Sequence, residues 1–332
     1  MEWNNFNFIW TNIQNGNHHI TYILDSNVVV GLSKYYYQRI RNKNENYRYE
    51  QLYKYLLCQD VVPGIAIREL SWDVEKNEVN KEKEKKLVEA MDGLFSHLNK
   101  GKNSYSSFNS MNFNTLEKNR NANQLLVMSF CLFKKLAILY STERSKDIIF
   151  NKLVDFILKE HKMLLSYEMT LITYWLFSNK KELKDLLSKL LKINSKNINE
   201  WQIYNASWDI FFIRVINNLT ALSKDNATID NIYNVCLISE DKALTELGNL
   251  TILNNEISNI ERGGMTIPAN GINTDDIKDE YKKLVVDRIQ YLYKTFSDRK
   301  TFINNNKDII GYYFELMKKL DEEILELNSK HM

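Results

Sequence analysis

Proline and glycine are scarce, two and ten in 332 residues, which removes most of the punctuation on which β-sandwiches and barrels depend. A helix-rich chain with a small sheet is expected. Cysteine is scarce too. Cys58, Cys131 and Cys236 lie far apart among apolar residues without ligand-like spacing, which sets aside a disulfide framework and a zinc site and suits buried thiols in a reducing compartment. An excess of one charge is also missing: 44 Lys+Arg against 42 Asp+Glu give +2. The balance neither demands a nucleic-acid partner nor excludes a local basic groove. No uncharged apolar run reaches the ~18 residues of a membrane span. The windows 125–140 and 164–177 are broken by Lys134, Lys135 and Glu168. The amino terminus lacks a basic and then apolar leader, so a cytoplasmic location is expected and a membrane partner is not.

Present instead are acids that follow short apolar segments. Residues 20–24, Ile-Thr-Tyr-Ile-Leu, are β-branched and aromatic and predict a buried strand that stops at Asp25-Ser26-Asn27, a cluster able to cap a helix over 27–41. Val61-Val62 predicts a second strand, ended by Pro63-Gly64, with a helix that carries Glu69 in its second turn. Asp209 stands in a strongly apolar helical segment, 203–216, and Asp225 and Asp230 are its rivals in a polar loop. Residues 234–238 predict a third strand, followed by Ser239, Glu240 and Asp241 at a helix start; Glu240 is expected to cap that helix. Each acid alone is an ordinary cap or a solvated helix face. Carboxylates at the carboxyl ends of strands are placed where open α/β sheets bind ligands.

The rest is helical. Segments 125–140, 147–165, 168–177 and 181–193 have apolar residues near the 3.6 period, as do 276–296 and 307–327. The charged run 75–86 suits an exposed helix, 99–123 reads as a mobile loop, and 260–276 as a linker. Residues 34–55 mix tyrosines with Lys34, Arg39, Arg41 and Arg48, a mixture that suits stacked bases and phosphates but equally the core boundary of an amphipathic helix.

In order, Ile23-Leu24-Asp25-Ser26-Asn27-Val28, Ile67-Arg68-Glu69-Leu70, Trp208-Asp209-Ile210 and Leu237-Ile238-Ser239-Glu240-Asp241 resemble the signature of the PIN domain nucleases over about a third of the chain. The resemblance implies an α/β fold: a small parallel sheet flanked by helices, with its core in 1–72 and 198–252. A helical insertion over 73–197 then separates Glu69 from Asp209, and a helical extension over 253–332 packs with it. It implies a metal-dependent endoribonuclease in which Asp25, Glu69, Asp209 and Asp241 bind Mg²⁺ or Mn²⁺ and Asn27 and Ser239 steady the carboxylates; the aromatic and cationic mixture makes Lys34, Arg39 and Arg41 the expected RNA contacts. Crowded carboxylates need such cations, and all-oxygen ligands favour these two. DNA is the alternative substrate, and a catalytically inactive partner-binding or scaffold protein the alternative class. The Asn- and Lys-rich composition is compatible with a bacterial toxin or phage-defence effector. A second copy of the chain, or an inhibitory or activating protein, is the partner class this implies.

Overall fold

The computed structural model describes residues 2–10, 20–57, 59–73, 78–95, 120–193, 197–224, 234–253, 258–262, 265–269, 272–306 and 308–330. Cys58, Asp225, Asp230 and the expected loop over 99–119 lie outside them; residues 120–123, counted with that loop, are helical. The chain divides into two compact units, one of 1–119 and 212–268, the other of 120–211 and 269–332. This division places residues 81–95 with the sheet and 200–211 with the helices, whereas the sequence boundaries fall at 73 and 198.

Unit 1 is α/β. Its sheet contains β1 (Glu2–Trp3), β2 (Phe6–Trp10), β3 (Ile20–Leu24), β4 (Asp60–Val62) and β7 (Asn234–Ser239), in the order β1-β2-β7-β3-β4. β7, β3 and β4 run parallel, with Tyr22 opposite both Cys236 and Val61. β2 joins β7 antiparallel and β1 joins β2 antiparallel, so the sheet is mixed and not wholly parallel. The extra pair arises from Asn4-Asn5, both at positive φ (52° and 63°), a backbone that asparagine tolerates and that closes a two-residue hairpin. β3 is buried along nearly its whole length, as a central strand covered on both faces must be.

Helix α1 (Ser26–Tyr36) follows β3, and α2 (Lys43–Leu56) leads to β4. α1 ends five residues before the predicted limit, where Gln38 takes φ 53°, so Arg39 and Arg41 lie in a loop. α3 (Gly64–Ser71) follows β4. β5 (Trp72–Asp73) and β6 (Glu78–Val79) pair antiparallel, and α4 (Lys81–Phe95) begins only afterwards. Part of the charged run is therefore strand rather than helix. Two glycines let these helices approach: a Cβ on Gly31 would stand 1.8 Å from the Tyr49 ring, and one on Gly93 would stand 2.3 Å from Tyr36. After β7, α10 (Lys242–Leu253) buries Leu244 and Leu247 and packs on β2 and β7. Strands β8 (Ser258–Arg262) and β9 (Met265–Ala269) pair with each other and occupy about half of the expected linker.

Unit 2 is helical: α5 (Arg120–Thr142), α6 (Lys146–Phe156), a π-helical turn Ile157–His161, α7 (Ser166–Phe177), α8 (Lys181–Leu191), the first half of α9 (Glu200–Lys224), α11 (Asp279–Lys294), α12 (Phe296–Asn305) and α13 (Ile309–Lys330). The predicted helix 147–165 breaks at the π turn, where Lys162 turns left-handed. α5 packs against α13, and Lys134 of α5, itself buried, is ion-paired to Glu200 of α9 and Asp321 of α13. Among the described residues no helix is long and apolar enough to cross a membrane.

Candidate functional site: a chain of acids and serines at the sheet edge

β3 connects through α1 and α2 to β4 on one side, while β7 lies on its other side. The carboxyl ends of β3 and β7 therefore bound a topological switch point, where an open sheet offers a crevice. The Asp25 amide donates to the Ile238 carbonyl (3.0 Å), which joins these two ends.

Asp25 caps α1 and is 3% exposed. Its Oδ1 accepts from the Ser26 amide (2.7 Å) and its Oδ2 from the Ser239 hydroxyl (2.7 Å). Burial pushes its carboxyl up to about 6, and the charges of Asp241 and Glu240 add to this against the lowering by its two hydrogen bonds. Ser239 is fully buried, and its Oγ accepts from the Asp241 amide (2.9 Å). Asp241 caps α10: its Oδ1 accepts from the amides of Ala243 (2.7 Å) and Leu244 (3.0 Å). The cap assigned to Glu240 thus belongs to Asp241, because the chain turns one residue later. Glu240 instead forms an ion pair with Arg48 of α2.

On the other flank the Ser26 hydroxyl donates to half-buried Glu69 of α3. Three of the four sequence-predicted acids therefore stand in one hydrogen-bonded chain, Glu69–Ser26–Asp25–Ser239–Asp241. The fourth, Asp209, is half-buried on α9, within the part of that helix that belongs to unit 2. The Asn27 side chain is exposed and makes no hydrogen bond among the described residues, whereas the neighbouring Ser26 hydroxyl reaches Glu69. Ser239 ends β7, and its hydroxyl donates to Asp25.

The basic residues are distributed differently. Lys34, Arg39 and Arg41 are exposed at the far end of α1 and beyond it; Lys34 stands nine residues from Asp25, roughly 14 Å along the axis at 1.5 Å per residue. Arg39 lies over the Tyr37 ring at 5.0 Å. Of the tyrosines nearby, Tyr49 is buried, Tyr35 packs on Tyr53 and Tyr36 on Gly93, leaving Tyr47 as the well-exposed ring. Arg48 was written in the sequence between those rings, but the pattern gave no sign that it reaches the loop after β7.

A hard divalent cation is the group that the resemblance implies. All donors here are oxygens, and Asp25 is a buried carboxylate with two acids and no basic side chain among the influences on it. That chemistry fits Mg²⁺ or Mn²⁺. The spacing is open, because serines stand between the acids: among the described residues no three His, Cys, Asp or Glu form a ready metal cage. Mg²⁺ binds commonly through one or two carboxylates, with water and phosphate completing its shell, so Asp25 and Asp241 are the pair that would hold it.

Asp60 accepts from Thr21 (2.6 Å) at the opposite end of β3 and β4 from Asp25. Burial pushes the Cys131 and Cys236 thiols up, which leaves both inert. No family model, curated protein or solved structure matches the chain.

Proposed function

We propose that unit 1 is a PIN-like phosphodiester hydrolase acting on RNA through a Mg²⁺ or Mn²⁺ ion held by Asp25 and Asp241. One observation carries the reading: Asp25 is a nearly inaccessible carboxylate at the switch point of the sheet, and the charges of Asp241 and Glu240 add to what burial already costs it. Keeping such a carboxylate ionised at neutral pH costs the metal-free fold roughly 3 kcal/mol, and retention of a group under that cost is characteristic of functional sites. When bound, the ion would neutralise phosphate charge and acidify a water. Asp25, fixed by Ser239 and the Ser26 amide, would orient it; Glu69, steadied by Ser26, would accept a proton from the attacking water. RNA is preferred to DNA on the family resemblance.

The test is incubation of the full chain with labelled RNA and DNA, with Mn²⁺, Mg²⁺ or EDTA. RNA cleavage that requires the ion and is lost in Asp25→Asn supports the reading; cleavage by Asp25→Asn at the wild-type rate overturns it. Asp209→Asn reports separately on the fourth acid.

A second reading is favoured by the capping bonds: Asp25 and Asp241 each cap the helix after their strand, and Ser239 ties the caps together. The chain would then be a scaffold or partner-binding protein. Asparagine caps helices as well as aspartate does. On this reading Asp241→Asn leaves stability unchanged and Mn²⁺ does not bind.

A further inference from the structure

We infer that Arg48 is the substrate-phosphate contact of this site and that Glu240 holds it in reserve; the inference rests on the hydrolase reading above. A phosphodiester approaching Asp25, Asp241, Glu69 and Glu240 meets like charge on every side, and a cation of the chain is needed to draw it in. Lys34, Arg39 and Arg41 stand at the far end of α1. Lys242 is exposed beside Asp241 and touches none of the acids among the described residues. Arg48 does reach the turn between Ser239 and Asp241, through its ion pair with Glu240.

Its setting is that of a prepared guanidinium. The group lies 4.8 Å from the Phe6 ring centre and 5.1 Å from that of Tyr49, so its plane is fixed by two faces. Its side chain is 23% exposed, Nη2 is bonded to Glu240, and Nε is buried without a partner. A guanidinium held this way has surplus donor capacity and has already lost its rotamer freedom, two properties of an arginine that binds phosphate in a fork. Glu240 has a second polar neighbour, the Tyr49 phenol: burial pushes that phenol up and the Glu240 charge adds to this, against the lowering by Arg48. A phosphate taking Nη2 in place of Glu240 would leave that carboxylate, itself part-exposed, beside the Tyr49 hydroxyl. Tyr49 owes its position to Gly31, which has no side chain to displace the ring.

The alternative is a plain structural clamp between α2 and the loop after β7, and the two differ in sign. The experiment measures binding of a fluorescein-labelled single-stranded RNA to the full chain in EDTA, by anisotropy at two salt concentrations, and KM and kcat in Mn²⁺. Arg48→Gln is expected to weaken binding about tenfold and to raise KM more than it lowers kcat. Arg48→Lys should retain part of the affinity, and Glu240→Gln, which removes the competing anion, should tighten binding severalfold. Should Arg48→Gln fold poorly, the double variant Arg48→Gln/Glu240→Gln leaves no unpaired charge, and its affinity is expected to match the tenfold loss. Unchanged affinity in the arginine variants, or equal weakening by Glu240→Gln, overturns the inference. A wild-type chain that binds RNA through Arg48 yet cuts nothing in Mn²⁺ upholds this contact while the hydrolase reading fails. One that cuts with the same KM after Arg48→Gln does the reverse.

Discussion

At the residue scale, Asp25 carries a measurable penalty. Folded Asp25 holds its proton up to about pH 6, whereas an unfolded aspartate releases it near pH 4. The folded state binds more protons between those values, so stability is fullest below about pH 4 and is lost as pH rises through about 6. The difference between the two states corresponds to roughly 3 kcal/mol. Asp25→Asn removes the titration, so urea unfolding of metal-free protein should show the variant gaining on the wild type by about that amount between pH 4 and pH 7. A difference that stays flat with pH would sink the assignment of strain to this carboxylate. The same logic applies to the metal: Mn²⁺ should raise the wild-type midpoint at pH 7 by neutralising Asp25, and should leave Asp25→Asn unmoved. Gly31 offers a second residue-scale test. A methyl group there would enter the buried Tyr49 ring, and Gly31→Ala is expected to cost about 1–3 kcal/mol by overpacking, read as a lower denaturation midpoint.

At the element scale, what the sequence disclosed and what it hid follow from range. β3, β4, β7 and the helical stretches within 125–191 were legible because each is a local pattern: a β-branched run ended by a cap, or apolar residues at helical spacing. Asp25 and Ser239 were legible as strand-end residues; their bond was not, since it spans the whole helical insertion. The β1–β2 hairpin escaped because Asn4 and Asn5 interrupt its apolar residues and read as polar noise, although they are what makes the turn. Asn5→Gly should leave unit 1 within about 0.5 kcal/mol of the wild type, since the strain glycine relieves at positive φ is offset by the freedom it adds to the unfolded chain; urea midpoints would check this. Ser26 and Arg48 were hidden for another reason: a hydroxyl and a guanidinium declare no partner until the fold supplies one. Lys134 is the helical unit's counterpart. Its buried ammonium joins α5, α9 and α13, and Lys134→Met, which leaves Glu200 and Asp321 facing each other half-exposed, is expected to cost about 2 kcal/mol.

At the scale of the whole molecule, the chain builds two cores from four stretches and passes between them three times, the second time within α9. That helix buries Ile203, Tyr204 and Trp208 in its first half and Phe212, Ile213 and Ile216 in its second, so each unit draws its own apolar residues from one continuous element. Helices gain most of their stability from packing rather than from their own hydrogen bonds. A break in the first half should then be felt mainly by unit 2. Asn205 is exposed and interior to the helix, so Asn205→Pro removes a hydrogen bond and clashes with the preceding turn at a cost of about 3 kcal/mol or more, without deleting any core side chain. Hydrogen exchange should show lost protection in α5 and α13 while amides of β3 and β7, Ile23 and Leu237 among them, keep theirs. Under this division the acid and serine chain at the sheet edge would survive, and Mn²⁺ would still stabilise those strands. Equal loss of protection in β3 and α13 would mean that α9 makes one cooperative body of the two cores, and that the site depends on the helical unit for its integrity.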